Sequence, residues 1–443
     1  MTANGIPGVT PAGGLSHVAG PTDEPLAELT IPEFLYRTAK QHSDREAAIF
    51  CQAGERWTYD QLLRRVDRLA AGLLSLGLYK GDRVGIWSPN RPEWLIAQFA
   101  TARIGLVLVN INPAYRSSEL EYALNKVEAK ALITALQFKS SNYLDILRKI
   151  APELDDAVPG RLKAEKLPEL TTVIQLGGEA IPGTFSFDEV MARGEGGPRH
   201  RLNAISQSLS PHDAINIQFT SGTTGAPKGA TLSHYNIINN AIAVARAMEF
   251  TEDDRLCIPV PLYHCFGMVL GNLACVSAGS AMVFPSEAFE ALATLKALDE
   301  EKCTAVHGVP TMFGAMLGEP SFKSFNLKAL RTGIMAGSPC PVELMKRVIA
   351  EMHASEITIA YGMTETSPVS FQSNTQDSIE RRVSTVGRIH PHVEVKIVDE
   401  EGRTLPLDAT GELLTRGYCV MKGYWNDPER TAEAIDEEGW MHT

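Results

Sequence analysis

The sequence predicts an α/β protein built of two layered α/β subdomains packed together, followed by a small β-barrel-like subdomain. Three observations lead there. Short apolar runs at 83–87, 106–109 and 130–134 alternate with helix-length stretches at 92–104 and 118–126, which means parallel strands joined by crossover helices. The run Arg193-Gly194-Glu195-Gly196-Gly197-Pro198 breaks that rhythm with the composition of a linker. After Ser384 helical spacing vanishes and strand alternation replaces it.

Thr30, Pro32 and Glu33 supply an N-cap, a first-turn proline and the far half of a capping box, so a helix starts there. A strand at 47–51 and the run Trp57-Thr58-Tyr59 bracket a turn. From Asp60 onward Leu62, Val66, Leu69, Leu73 and their neighbours recur at helical spacing until Gly77 ends the helix. The second half repeats the rhythm with strands near Ile215, Leu256, Ala281, Ala305, Thr332 and Thr358, and short strands at 394–399 and 411–416 close the chain. The stretch 256–286 carries no Asp, Glu, Lys or Arg, but Asn272, Ser277, Gly279, Ser280 and Pro285 interrupt it. It reads as a buried helix, a turn and a strand at 281–284 rather than a membrane span. The expected partition is an unstructured arm over 1–29, a first α/β subdomain over 30–192, a linker over 193–211, a second α/β subdomain over 212–383, and the small β subdomain over 384–443.

Lys and Arg number 41 against 53 Asp and Glu, a formal net charge of −12, with no basic run to offset it. A nucleic-acid-binding surface is thereby excluded as the main function. The seven cysteines are scattered without a Cys-x-x-Cys pair, which indicates neither a zinc site nor a disulfide framework. Residues 1–25 contain no Lys or Arg and no apolar segment, so no secretory or mitochondrial leader is read there and a cytoplasmic location is expected.

The chemistry concentrates in Phe219-Thr220-Ser221-Gly222-Thr223-Thr224-Gly225-Ala226-Pro227-Lys228-Gly229. Such a run packs no core, but it wraps a polyphosphate: glycines let backbone N–H groups approach an anion, and the hydroxyls and Lys228 add donors and a positive charge. A Walker A loop ends in Gly-Lys-Ser/Thr, whereas here Pro227 precedes the lysine and Gly229 follows it, so an ordinary P-loop ATPase is disfavoured.

That loop resembles the signature of the adenylate-forming superfamily, which includes acyl-CoA synthetases, the adenylation domains of peptide synthetases and firefly luciferase. Four further stretches match the family in order: Pro261-Leu262-Tyr263-His264, Gly337-Ser338-Pro339, Tyr361-Gly362-Met363-Thr364-Glu365, and Gly411-Glu412-Leu413 leading to Gly423-Tyr424. The resemblance implies ATP, Mg²⁺ and CoA as cofactors and a fatty acid or other carboxylic acid as partner. A carboxylate oxygen attacks the α-phosphorus of ATP, pyrophosphate leaves, and the acyl-adenylate passes its acyl group to the CoA thiol. Thr220, Ser221, Gly222, Thr223, Thr224, Gly225 and Lys228 are the implied phosphate-binding set, and Thr364 is implied to bond phosphate. Glu365 and Thr223 are the implied Mg²⁺ ligands. Tyr361, Gly362 and Met363, together with Gly337, Ser338 and Pro339, are implied to enclose adenine; Ser338 also reads as a cap of the next helix. A lone histidine near an apolar run is ordinarily a hydrogen-bonded core residue, but the resemblance makes His264 a gate beside the acyl carboxylate. Lys228, Thr364, Glu365 and His264 are thus the catalytic candidates. Phe266, Met268, Val309, Pro310, Thr311, Met312, Ala336 and Met363 make either an acyl channel or an ordinary core.

The family continues past Gly439-Trp440-Met441-His442-Thr443 into a ribose-binding aspartate and a C-terminal lid domain, which this sequence does not carry. The expectation is an N-terminal domain that binds acyl-adenylate or ATP weakly and turns over little or not at all by itself. The overall texture is most like bacterial medium- to long-chain fatty acyl-CoA synthetases. An aryl acid, another adenylate-forming activity and a non-catalytic nucleotide- or acyl-binding module stay open, as do peripheral membrane contact and a homodimer.

Overall fold

Two mixed, largely parallel sheets carry the chain. A computed structural model describes residues 8–11, 13–197, 199–220 and 226–443. The eight-stranded sheet runs in the order Phe185–Ser186, Thr172–Leu176, Ala131–Ala135, Arg83–Trp87, Val107–Asn110, Ala214–Thr220, Lys228–Ser233, Gly423–Tyr424. Its strands are parallel as far as Ala214–Thr220 and antiparallel beyond it. The six-stranded sheet runs Thr332–Met335, Ala305–Gly308, Arg255–Cys257, Ala281–Phe284, Glu46–Phe50, Glu55–Thr58, parallel except at the last pair. The α/β expectation of parallel strands with crossover helices is met.

Strand membership interleaves along the chain. Glu46–Phe50 and Glu55–Thr58 precede every strand of the eight-stranded sheet yet close the six-stranded one, and Ala214–Thr220 and Lys228–Ser233 follow 193–211 yet extend the eight-stranded one. The sheets therefore do not divide at 193–211, and that stretch carries a helix, Arg199–Gln207. Its anchor is Arg103, 8% exposed, whose guanidinium donates to Leu202 O and Asn203 Oδ1, contacts Ser206 Oγ, and pairs with Asp67 at 2.8 Å. A Gly-rich composition marks a chain break, but this distant cation fastens the helix beyond the break to the first sheet's layer.

The helix start read at Thr30 is found, and a second capping box that was not read lies at Thr58. At Ile31–Gln41 the Thr30 hydroxyl accepts from Glu33 N while Glu33 Oε2 accepts from Thr30 N, a closed capping box, and Thr58 with Gln61 repeats it at Tyr59–Ser75. Pro92–Arg103 is buried from Trp94 to Arg103 on every side, as a helix between two layers must be. Within 256–286 the strand Arg255–Cys257 ends first, a helix then runs from Cys265 to Ala278 with a π turn over Met268–Leu273, and the strand Ala281–Phe284 follows. Among the described residues no helix is long and apolar enough to cross a membrane.

The small β unit is an open four-stranded antiparallel sheet, His17–Ala19, Val393–Val398, Glu412–Gly417, Met441–His442, rather than a closed barrel. The arm expected over 1–29 thus contributes an edge strand: three residues are too few to show periodicity, and their partner lies some 375 residues away, His17 opposite Lys396. The strand expected near Thr358 is a single parallel bridge to Ile334, after which Ala360–Gly362 pairs antiparallel with Val369–Gln372.

Gly72 shows how closely the helices meet, because a Cβ there would lie 2.1 Å from Val190 O. Gly72→Ala, which favours an isolated helix, is expected to lower stability here by roughly 1–3 kcal/mol through overpacking, measurable as a shifted urea midpoint; an unchanged or raised midpoint contradicts this packing. His234, His307 and His390 are fully buried, and desolvation pushes their pKa values down to about 3, about 4 and about 3. An unfolded histidine protonates near pH 6.5, so below that the unfolded chain binds more protons than the folded one. Stability present above about pH 6.5 is therefore lost as the pH falls toward 4, each histidine contributing up to about 1.4 kcal/mol per pH unit. Unfolding free energies flat between pH 7.5 and 5 are the result incompatible with this burial.

Candidate active site

The hairpin of Ala214–Thr220 and Lys228–Ser233 sets Thr220 opposite Lys228. Beyond a register shift at Ala214/Asn216, alternation turns Ile217 and Phe219 to one face and Asn216, Gln218 and Thr220 to the other. Ser221, Gly222, Thr223, Thr224 and Gly225 lie outside the described residues, so the loop is seen through its two ends. There Glu365, 4% exposed, is the central group. A buried carboxylate requires donors, and it has two on one oxygen: Oε1 accepts from Thr220 Oγ1 at 3.0 Å and from the Tyr424 hydroxyl at 2.9 Å. Burial and the adjoining Glu365 carboxylate hold the Tyr424 phenol well above its ordinary pKa, so it stays a donor. The Lys228 ammonium lies over the Tyr424 ring, 4.4 Å from its centroid. Arg430 Nη1 donates to Ala226 O at 3.3 Å, just before Pro227.

Thr220, Lys228 and Glu365 are thus brought together, with Tyr424 joining them. Gly423-Tyr424 was legible as a motif, but the aromatic's reach to Glu365, 59 residues upstream, had no local signal, and neither had Arg430. Thr364 opens the single 3₁₀ turn Thr364–Thr366 and is half-buried. Tyr361 and Gly362 are exposed in the short strand before it, the Tyr361 ring edge-on to Phe371 at 6.1 Å. Met363 N donates to Thr366 Oγ1, which fixes the turn. Gly337, Ser338 and Pro339 form an exposed turn after Thr332–Met335. Ser338 does not cap the next helix: Val342–Met352 begins after Pro341 with no side-chain cap.

His264 caps Cys265–Gly267 by accepting from Phe266 N at Nδ1, 3.1 Å, which leaves the ring proton on Nε2. The residue keeps solvent access yet sits low among packed atoms, and that desolvation lowers its pKa, favouring the neutral ring. Phe266, Met268, Val309, Met312, Ala336 and Met363 belong to one apolar cluster behind it, whereas Thr311 is exposed. A cavity of about 400 Å³ that sequence reasoning missed opens beside Tyr263, lined by Asn90, Asn112, Arg116, Lys139 and Met312 among others. Its walls come from loops that follow strands of both sheets, so no single stretch of sequence announces it.

Magnesium takes one or two protein carboxylates and fills its other positions with water and phosphate oxygens. Glu365 suits that role at the mouth of the loop, and among the described residues no group of three or more His, Cys, Asp or Glu is arranged as an all-protein cage. The arrangement joins a lysine, a hydroxyl and a buried carboxylate at the ends of a Gly/Thr-rich loop, with His264, an apolar cluster and the cavity beside Tyr263 elsewhere around it.

The chain belongs to the AMP-binding enzyme family, whose model matches residues 35–425. Among its relatives is the mitochondrial medium-chain acyl-CoA ligase ACSF2 of Macaca fascicularis, 45% identical over 98% of this chain and 71% of that protein. The putative acyl-CoA synthetase YngI of Bacillus subtilis is 47% identical over 94% of this chain and 77% of its own length. A putative long-chain-fatty-acid CoA ligase from Rhodopseudomonas palustris superposes with a TM-score of 0.79 at 26% identity, over 94% of this chain and 95% of that one. The anthranilate CoA ligase AuaEII, solved with anthranoyl-AMP, shares the fold with a TM-score of 0.82 at 23% identity, over 95% of this chain and 76% of its own.

Tyr424→Phe removes one of the two donors on Glu365 Oε1. It is expected to cost about 1–3 kcal/mol of unfolding free energy, the ordinary penalty for an under-bonded buried group. A double-mutant cycle with Thr220→Val should show coupling through the shared oxygen, and strictly additive losses count against it.

Proposed function

We propose that this protein is an ATP-dependent acid:CoA ligase that activates a medium-chain fatty acid. The observation that carries the reading is the convergence of Thr220, Lys228 and Glu365 at the ends of the Gly/Thr-rich loop. A carboxylate is a poor acyl donor because its leaving group is oxide. In the proposed first step the acid's oxygen forms a bond to the α-phosphorus of ATP, the bond from that phosphorus to the α–β bridging oxygen breaks, and pyrophosphate departs with the electron pair. Lys228 and the loop's N–H groups hold the departing phosphates, a charge-stabilising role that grows as the bond breaks. Thr364 bonds the α-phosphate, and Glu365 is the side chain that would hold Mg²⁺. Bound there, the ion would neutralise phosphate charge and orient the chain for in-line attack.

Neutral His264 borders the acid's carboxylate without adding a second positive charge, and its Nε2–H orients one oxygen. The apolar cluster behind Phe266 takes the alkyl chain, consistent with the uncharged stretch 256–286 and with the medium-chain ligase among the relatives. In the second step the CoA sulfur, having lost its proton to solvent, bonds to the acyl carbon, the bond from that carbon to the AMP phosphate oxygen breaks, and AMP leaves with the electron pair. The cavity beside Tyr263 suits the thiol's narrow arm, with Arg116 and Lys139 at its wall for phosphate.

Two measurements test this on the same protein. A non-hydrolysable octanoyl-adenylate mimic should stabilise it thermally far more than the acetyl analogue, and Lys228→Ala should weaken that response. Acid-dependent pyrophosphate release with ATP and Mg²⁺, surveyed from C4 to C16, should be slow, peak at medium chains and fall about a hundredfold in Lys228→Ala. Neither stabilisation nor release, or both unchanged in the variant, refutes the assignment.

A further inference from the structure

Asn110 ends the strand Val107–Asn110, Asn90 follows its parallel neighbour Arg83–Trp87 by three residues, and they are 2% and 5% exposed. Asn90 Nδ2 donates to Val260 O at 2.9 Å while its Oδ1 accepts from Leu262 N at 2.8 Å, clamping the backbone on both sides of Pro261. Asn110 Nδ2 donates to Tyr263 O at 2.9 Å, the carbonyl just before His264. Its Oδ1 accepts from Asn216 Nδ2 at 2.9 Å, and Asn216 Oδ1 accepts from Gln218 Nε2 at 2.9 Å. Asn216 and Gln218 lie on the strand that ends at Thr220, buried at 1% and 3% exposure. An unbroken amide relay therefore runs from the hairpin to the His264 turn.

The turn is closed tightly on its other side. A Cβ at Gly267 would lie 2.4 Å from Pro261 O, and His264 O accepts from both Gly267 N and Met268 N. Gln98 donates to Met268 O and His307 Nε2 donates to Leu270 O, so the adjoining π turn is held by side chains as well. Apolar residues of equal volume would fill this space, but a buried amide network admits one register only, because every shifted alternative leaves a polar group unpaired.

We propose that Asn90 and Asn110 are positioning residues: they hold the turn at 260–264 so that His264 keeps one place relative to the Thr220–Lys228 hairpin. Their bearing on catalysis rests on His264 bordering the acid, as in the proposed function. Hydrogen exchange tests the positioning without any turnover. Asn110→Leu, which keeps the volume and removes the donor, should speed exchange across 262–268 about tenfold and leave peptides over 229–233 and 305–308 within about twofold. Asn90→Leu should act likewise, and Asn110→Ser replaces Asn110→Leu if the latter is insoluble. In pyrophosphate release the variants should raise KM for the acid about tenfold with KM for ATP within about twofold. Unchanged exchange in soluble variants overturns the proposal, as does an equal loss for acid and ATP. If the parent protein releases no acid-dependent pyrophosphate, the catalytic reading fails while exchange still decides the positioning.

Discussion

Much of this molecule is arranged around the need to give one buried carboxyl group its hydrogen-bond donors where water hardly reaches. Glu365 is tolerable in its place only because a hydroxyl and a phenol converge on the same oxygen. The donors arrive from a hairpin near residue 220 and from a strand near 424, so satisfying one side chain fastens three distant segments. Backbone bonds reinforce the same seam: Met421 N donates to Glu365 O, Lys422 N to Thr231 O and Trp425 N to Gly229 O. The positive counterpart, Lys228, is not paired directly with the carboxylate but rests on the phenol's ring. An anion arriving at the loop thus meets an ammonium whose charge Glu365 has not cancelled by direct contact.

A second constraint comes from strand direction. In parallel sheets the carboxyl ends gather on one side, where loops are free to vary and ligands bind. Here both sheets send such loops to a common region: Asn90 after Arg83–Trp87, Asn112 after Val107–Asn110, Glu287 after Ala281–Phe284, Met312 after Ala305–Gly308, all lining one cavity. The His264 turn lies between those loops and the hairpin, which is why it needs ties to both.

What was legible in the sequence was whatever is encoded locally. The helix at 31–41 announced itself by its capping box and the one at 59–75 by apolar spacing. Which strands adjoin which was not legible, because Glu46–Phe50 carries no mark of its eventual neighbour Ala281–Phe284. The strand at His17–Ala19 was hidden by shortness, and the π turn at 268–273 looks, residue by residue, like ordinary buried helix. Of the candidate site, Thr220, Lys228 and Glu365 were read from contiguous motifs and adjoin in the structure, whereas the residues that reach them from elsewhere had no role in that reading. Tyr424 sat in a recognised motif without a role, since only the fold brings it to Glu365. Asn110 did leave a trace, an amide at the end of the apolar run Val107–Asn110, but its partners on other strands could not be read from it.

The interleaving of strands bears on how the chain is made. During synthesis the Glu46–Phe50 strand emerges early, yet its parallel neighbour Ala281–Phe284 is more than two hundred residues behind it. The eight-stranded sheet likewise waits for Gly423–Tyr424 to cover the edge of Lys228–Ser233. The six-stranded sheet has all its strands only once Thr332–Met335 is out, and the eight-stranded one only at Gly423–Tyr424, so two halves separated at residue 200 would each leave the ribosome with an open strand edge awaiting the other. Such edges invite pairing with foreign chains. The price of a site built from both sheets is a nascent protein that has no safe stopping point until its last strands are out.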